Sequence, residues 1–134
     1  MAWNGGGQLK LVGLEANADL SAKQWYFVKM TTTNKRVGLA SVDGEAVLGV
    51  LVNKPSAAGQ DAEVVMFGTV KIIAGETITA GDKIKTDANG KAAVVDLTST
   101  GADLKDSAVG TCIIGAATNE LATVVLGVPQ GKSE

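Results

Sequence analysis

Fourteen carboxylates, one thiol and no imidazole make up the reactive side chains of this 134-residue chain. Without His it lacks the usual general base at neutral pH and the commonest metal ligand. Two carboxylate pairs have a spacing that could share a proton or a cation: Asp43 with Glu45, and Asp61 with Glu63. Neither is joined by a nucleophile or a metal signature, and acidic residues beside Gly and Asn read more simply as turn residues bonding nearby amides. Asp82 to Asn89 could surround a calcium ion, but the spacing is not that of the twelve-residue calcium loop. Cys112 lies in an apolar run, where a buried, inert thiol is expected. A single cysteine also excludes an internal disulfide and a thiolate zinc cluster. Gly5-Gly6-Gly7 has no strand before it and no helix after it, so it is no phosphate cradle. Lys83, Lys85 and Lys91 line one hairpin, where charges keep a sheet edge soluble. Trp25, Tyr26 and Phe27 could stack on bases, yet a net charge of -2 supplies no electrostatic groove. No catalytic residue, cofactor site or metal site is therefore assigned. Asp82 and Asp87 are the carboxylates to test if the chain is a nucleotide hydrolase on a β-clip scaffold. A carbohydrate- or receptor-binding module is the other open reading, with Trp3, Trp25, Tyr26, Phe27 and Phe67 as its only aromatics.

The elements that must hold these residues read as strands. Hydrophobic residues are 46% of the chain and aromatics 4%, so the core is aliphatic. The 17 scattered glycines imply many tight turns. Apolar residues come in runs or in alternation, never as a helical stripe. Strands are expected over Trp25 to Met30, Arg36 to Val42, Ala46 to Val52 and Glu63 to Ile73, the last with a bulge or close approach at Gly68. Thr77 to Asp87 follows, with one face exposed over Lys83 to Asp87. Asn89-Gly90 predicts a type I′ hairpin turn with positive φ at both residues. Ala92 to Val95, Ala108 to Ile114 and Leu121 to Val128 complete the set. Residues 96–106 read as a polar loop with one helical turn. About eight strands and no amphipathic helix predict an all-β fold, a small β-barrel or sandwich. No apolar run reaches 18 residues, so no membrane span is expected, and the first residues lack the basic start of a signal peptide, so synthesis in the cytoplasm is expected.

The chain divides into an arm, residues 1–22, and a body, residues 23–134. Gly5-Gly6-Gly7 is a flexible joint in the arm, with Leu9, Leu11 and Leu14 after it. The arm is either a frayed terminus with one weak strand or a segment that docks Trp3, Leu9 and Leu11 on a partner. Removing residues 1 to 20 is expected to leave the body folded. Trp25, Tyr26 and Phe27 are expected in the core or between subunits. A weak internal repeat aligns Ala46 to Val52 with Ser107 to Ile113, and Val65 to Gly68 with Val124 to Gly127.

Tyr26 to Val128 resembles the capsid decoration, or head cement, proteins of tailed bacteriophages of the DUF2190 type. The matching segments are Tyr26-Phe27-Val28-Lys29-Met30, Gly49-Val50-Leu51 with Pro55-Ser56-Ala57-Ala58-Gly59, and Val64-Val65 to Gly68-Thr69-Val70-Lys71. The most recognisable is Ile78-Thr79-Ala80-Gly81-Asp82 with Asp87-Ala88-Asn89-Gly90-Lys91-Ala92. Ile114 to Ala117 and Glu120 to Leu126 close it. The resemblance implies a β-barrel or β-clip (β-tulip-like) domain without enzymatic activity. It also implies a virion location on the outer capsid surface, binding to the major capsid protein of a tailed phage, and assembly as a homotrimer. It involves no nucleic acid, membrane or cofactor. Trp3, Leu9, Leu11 and Leu14 are then the candidate capsid-binding residues, and Trp25, Tyr26 and Phe27 the candidate subunit contacts.

Overall fold

The computed structural model describes residues 8–95 and 108–127. Trp3, the triple glycine, the polar loop over 96–106 with its helical turn, and Val128 lie outside the described residues. The nine described strands are β1 (Leu9–Ala16), β2 (Phe27–Met30), β3 (Arg36–Leu39), β4 (Gly49–Leu51), β5 (Asp61–Ile73), β6 (Lys83–Thr86), β7 (Ala92–Val94), β8 (Gly110–Ile114) and β9 (Leu121–Leu126). No helix occurs among the described residues, hence none long and apolar enough to cross a membrane.

The fold is all-β, with the strands hydrogen-bonded in the order β1-β3-β2-β4-β5-β9-β8-β6-β7. All pairings are antiparallel except β1 with β3, which makes the sheet mixed. Of the barrel, clip or sandwich expected, the structure supports a sandwich- or clip-like fold without full barrel closure, its strand order ending on β7. The reason lies in β5. Thirteen residues long, it pairs with β4 and β1 up to Phe67 and with β9 from Gly68 onward. Gly68 has φ +97°. That conformation is cheap only for Gly, and it turns one strand from the first sheet into the second.

The sequence repeat is a repeat of topology. In the first unit β2 pairs with β3 and β4, and β4 pairs with β5. In the second, β6 pairs with β7 and β8, and β8 pairs with β9. The registers coincide. Val28↔Leu39, Phe27↔Val50, Val28↔Gly49 and Val50↔Val65 correspond to Ile84↔Val94, Lys83↔Thr111, Ile84↔Gly110 and Thr111↔Val125. Val65 therefore corresponds to Val125, one residue beyond the match made by sequence. The turns agree as well. The Thr31 amide donates to the Arg36 carbonyl as Asp87 does to Lys91, and the Thr31 hydroxyl and the Asp87 carboxylate each accept the amide two residues on.

The Asn89-Gly90 expectation is corrected in part. Gly90 has φ +79°, but Asn89 is not left-handed. The Asp87 carboxylate accepts from both the Asn89 and Lys91 amides, 2.8 and 2.9 Å, and so shapes a five-residue connection. Such a loop needs one left-handed residue near its end. In the first unit Lys35 holds that place with φ +68°.

Two cores result. One contains Val28, Val37, Leu51, Ala62 and Val64 of the first unit, covered by Ala16 and Leu20. The other joins Phe27, Val50 and Val65 of the first unit to Ile84, Cys112 and Val124 of the second. Strand β1 pairs with β5 from Leu9 to Glu15 and with β3 at Glu15 and Ala16, and Ala16 and Leu20 are buried. Its leucines gain backbone partners along β5 that an isolated arm would lack.

Gly49 and Gly110 occupy equivalent places, and a Cβ on either would run into a carbonyl oxygen, that of Val65 or of Val125. Gly49→Ala and Gly110→Ala are each expected to cost about 3 kcal/mol in urea denaturation, at the upper end of overpacking. Gly127→Ala, with open space around it, is expected to stay within about 0.5 kcal/mol.

Candidate functional site

Of the carboxylates singled out for chemistry, Asp43, Glu45, Glu63, Asp82 and Asp87 are engaged by the fold. The Glu45 carboxylate accepts the Ser41 and Val42 amides at 2.8 and 3.0 Å and pairs with Lys29 at 3.1 Å. Asp43 pairs with Lys85 at 3.2 Å. Lys29 and Lys85 are equivalent residues of the two units, so one lysine from each clamps the loop between β3 and β4. Asp61 and Glu63 share a face of β5, and Glu63 pairs with Lys10 at 3.4 Å. Asp82 accepts the Thr79 amide at 2.9 Å. Asp82 and Asp87 each serve their own turn. Lys83 donates to the Thr111 hydroxyl, and Lys91 to Asn119. Among the described residues, no three His, Cys, Asp or Glu side chains gather to hold a metal ion.

Cys112 is buried in the shared core. Burial raises its pKa, and the charge of Asp82 raises it further, against a smaller opposing bond from the Ile114 backbone. A thiol held protonated in this way is a packing group.

The candidate contact residues separate. Phe27 is fully buried in the shared core, the first of the two places expected for it. Trp25 is half-buried against the same core. Its backbone has φ +75°, rare for a bulky residue. Its amide donates to the Leu51 carbonyl and its carbonyl accepts from the Ile73 amide, 2.7 and 2.9 Å. Trp25 thus latches the end of β4 to the far end of β5, across the bend at Gly68. Tyr26 is half-buried, with the Lys23 ammonium 4.9 Å from its ring centre. On β1, Leu14 packs against the first core, Leu11 is half-buried and Leu9 is 47% exposed. The strand bulges at Val12-Gly13 and leaves Val12 open to solvent.

What the surface offers is apolar contact on rigid sheets, and the fold around it has precedents. It is the fold of two solved phage structural proteins. The chain is similar to the head fiber gp8.5 N base of bacteriophage phi29, with a TM-score of 0.65 and 18% identity over 94% of this chain and 99% of that one. It is also similar to a chain of the capsid of Myoviridae phage XM1, with a TM-score of 0.62 and 17% identity over 93% and 86%. At this identity the likeness establishes the fold. No family model and no curated protein matches the chain.

The Glu45 clamp predicts an acid-side dependence. Burial raises the Glu45 pKa, but the Ser41 and Val42 amides and Lys29 together outweigh it and leave the group below its ordinary 4.5. A carboxyl lowered by folding contributes stability above its unfolded value and loses it as pH falls through the folded one. The stability gap between wild type and Glu45→Gln is therefore expected to be full at pH 7 and to close as pH falls below 4.5. Urea melts at both ends of that range measure it.

Proposed function

We propose that the chain is a non-enzymatic decoration protein of a tailed-phage head. In this reading it sits on the outer surface of the virion, binds the major capsid protein and stabilises the mature shell. The observation that carries the reading is the likeness, over nearly the whole length of both chains, to the N base of a head fiber. The similarity to a phage capsid chain accords with it. The carboxylates committed to turns and salt bridges accord with a protein that adheres and transforms nothing.

Such a protein works by rigid multivalent contact. A trimer engages three neighbouring capsomers at once, and linked contacts raise avidity well beyond that of one. Trp25 and Tyr26, half-buried in the monomer, are the aromatic contacts proposed between subunits. The first residues of the chain, with Trp3, together with the exposed Leu9, are the proposed docking arm. The part of the arm free to dock is shorter than residues 1–22, because β1 belongs to the body.

Binding is tested by co-sedimentation with DNA-free heads of the phage that encodes the chain. The protein is expected to join expanded heads, to leave procapsids bare, and to raise the temperature at which heads break. Equal binding to both head forms would remove the maturation-sensing role, and heads indifferent to the protein would remove the function. Deleting residues 1–7 is expected to leave the melting temperature unchanged and to lower head affinity. Deleting residues 1–20 removes β1, Ala16 and Leu20 and is expected to unfold the domain, since burying one such leucine is worth about 2–5 kcal/mol. Circular dichroism of the two truncations separates these outcomes.

A further inference from the structure

The two units stack front to back. The front of the second unit, with Ile84, Cys112 and Val124, packs on the back of the first, with Phe27, Val50 and Val65. The front of the first unit, with Val28, Leu51 and Val64, is closed by Ala16 and Leu20. Among the described residues one face of the stack remains uncovered: the back of the second unit. There Lys83, Thr111 and Val125 stand where the first unit has Phe27, Val50 and Val65.

This open face is apolar beyond those three positions. On β9, Leu121 and Val125 point outward, 44% and 37% exposed, while Ala122, Val124 and Leu126 point in. The register shift after Cys112 leaves both Ile113 and Ile114 outside, 46% and 59% exposed. Cross-strand pairs Thr69↔Val125, Lys71↔Thr123, Ile73↔Leu121 and Ile114↔Thr123 make the face continuous. The start of β1 borders it, where the Gln8 side-chain amide donates to the Thr69 carbonyl at 2.7 Å. Lys71 and Lys83 stand in the face, and neither has a carboxylate partner among the described residues.

We propose that this back face of the second unit, built on Ile113, Ile114, Leu121 and Val125, is a docking surface for the capsid shell protein. The site it meets there is aliphatic with carboxylates at its rim. The inference rests on the decoration reading and specifies which side of the domain faces the shell. Two arguments select that occupant over a second copy of the chain. Within this fold, a back face is covered by a front face, and both front faces of any copy are already closed. An isologous pair would also place Lys71 and Lys83 of both copies in one interface whose own residues supply no carboxylate among those described, which like-charge repulsion disfavours. A partner carboxylate beside each lysine answers both charges, and threonines between the aliphatic residues supply hydrogen bonds in place of water.

The test uses full-length protein carrying Ile114→Glu or Lys71→Glu, both at exposed positions, with DNA-free expanded heads of the encoding phage as the probe. Each variant is expected to keep the melting temperature and solution mass of wild type. Each is expected to bind heads at least about tenfold more weakly, as loss of a central interface contact does. Added salt is expected to weaken wild type more than Lys71→Glu. If wild type binds heads and both folded variants bind equally well, the face is not the docking surface and the decoration reading stands. If wild type binds no heads, the decoration reading and this inference fall together. If Ile114→Glu lowers the solution mass while head binding persists, the face belongs to a second copy and the inference is overturned.

Discussion

The fold depends on one strand being asked to serve two sheets. β5 gives its first half to β4 and β1 and its second half to β9, so every other strand is placed by reference to it. A thirteen-residue strand kept straight would leave its far half without a neighbouring unit to pack on. The left-handed backbone at Gly68 re-aims the ladder and lets the two sheets face each other across a shared core. Trp25 closes the same joint from outside, with its amide on the end of β4 and its carbonyl on the end of β5. A bend in the strand and a brace across it fix the angle between the units. The rare conformation of Trp25 costs on the order of 1–3 kcal/mol, and the two backbone bonds it makes hold it there.

Duplication makes economical use of one packing solution and leaves its ends to be solved separately. The same four-strand arrangement, with the same registers and close backbone approaches at Gly49 and Gly110, appears twice. Stacking front to back buries one interface and leaves one front and one back. β1 and Leu20 close the front. Repeat proteins generally need such terminal caps, with a polar outer surface beyond them. The back has been made only partly polar: Phe27 is answered by Lys83 and Val50 by Thr111, but Val65 is answered by Val125, and two isoleucines have been turned outward beside it.

Much of this was legible in the residues. Alternation and apolar runs locate β2 to β9 closely, and Gly68 stands out as a break. The repeat was visible through its glycines, although offset by one residue, because Val124 and Val125 are chemically indistinguishable and only the cross-strand register separates them. β1 was harder to read. Its apolar pattern is interrupted by Gly13 and Lys10, and its stability comes from pairing with residues some fifty positions away, which no local pattern encodes. Asn89 misled because Asn-Gly is a strong turn signal, while the Asp87 side chain two residues earlier decides the type of turn. Trp25, Tyr26 and Phe27 carry the same signal in sequence, but the strand begins at Phe27 and that ring alone is fully buried.

The candidate surface was illegible for a different reason. Ile113, Ile114, Leu121 and Val125 look in sequence like any core residues, and hydrophobic patterning alone assigns them inward. Their outward placement follows from the bulge after Cys112 and from which side of the second unit the first one covers. Isolated exposed aliphatic side chains are ordinary on soluble proteins, so exposure by itself would say little. The comparison within the chain gives it meaning. The equivalent face of the first unit is a buried interface with an aromatic and two valines, and the second unit retains the strand pairing that builds such a face. Retained strand pairing with altered chemistry, two lysines without a carboxylate partner among the described residues and set among aliphatic residues and threonines, is what a surface needs if it must remain soluble alone and still close against a partner of opposite charge.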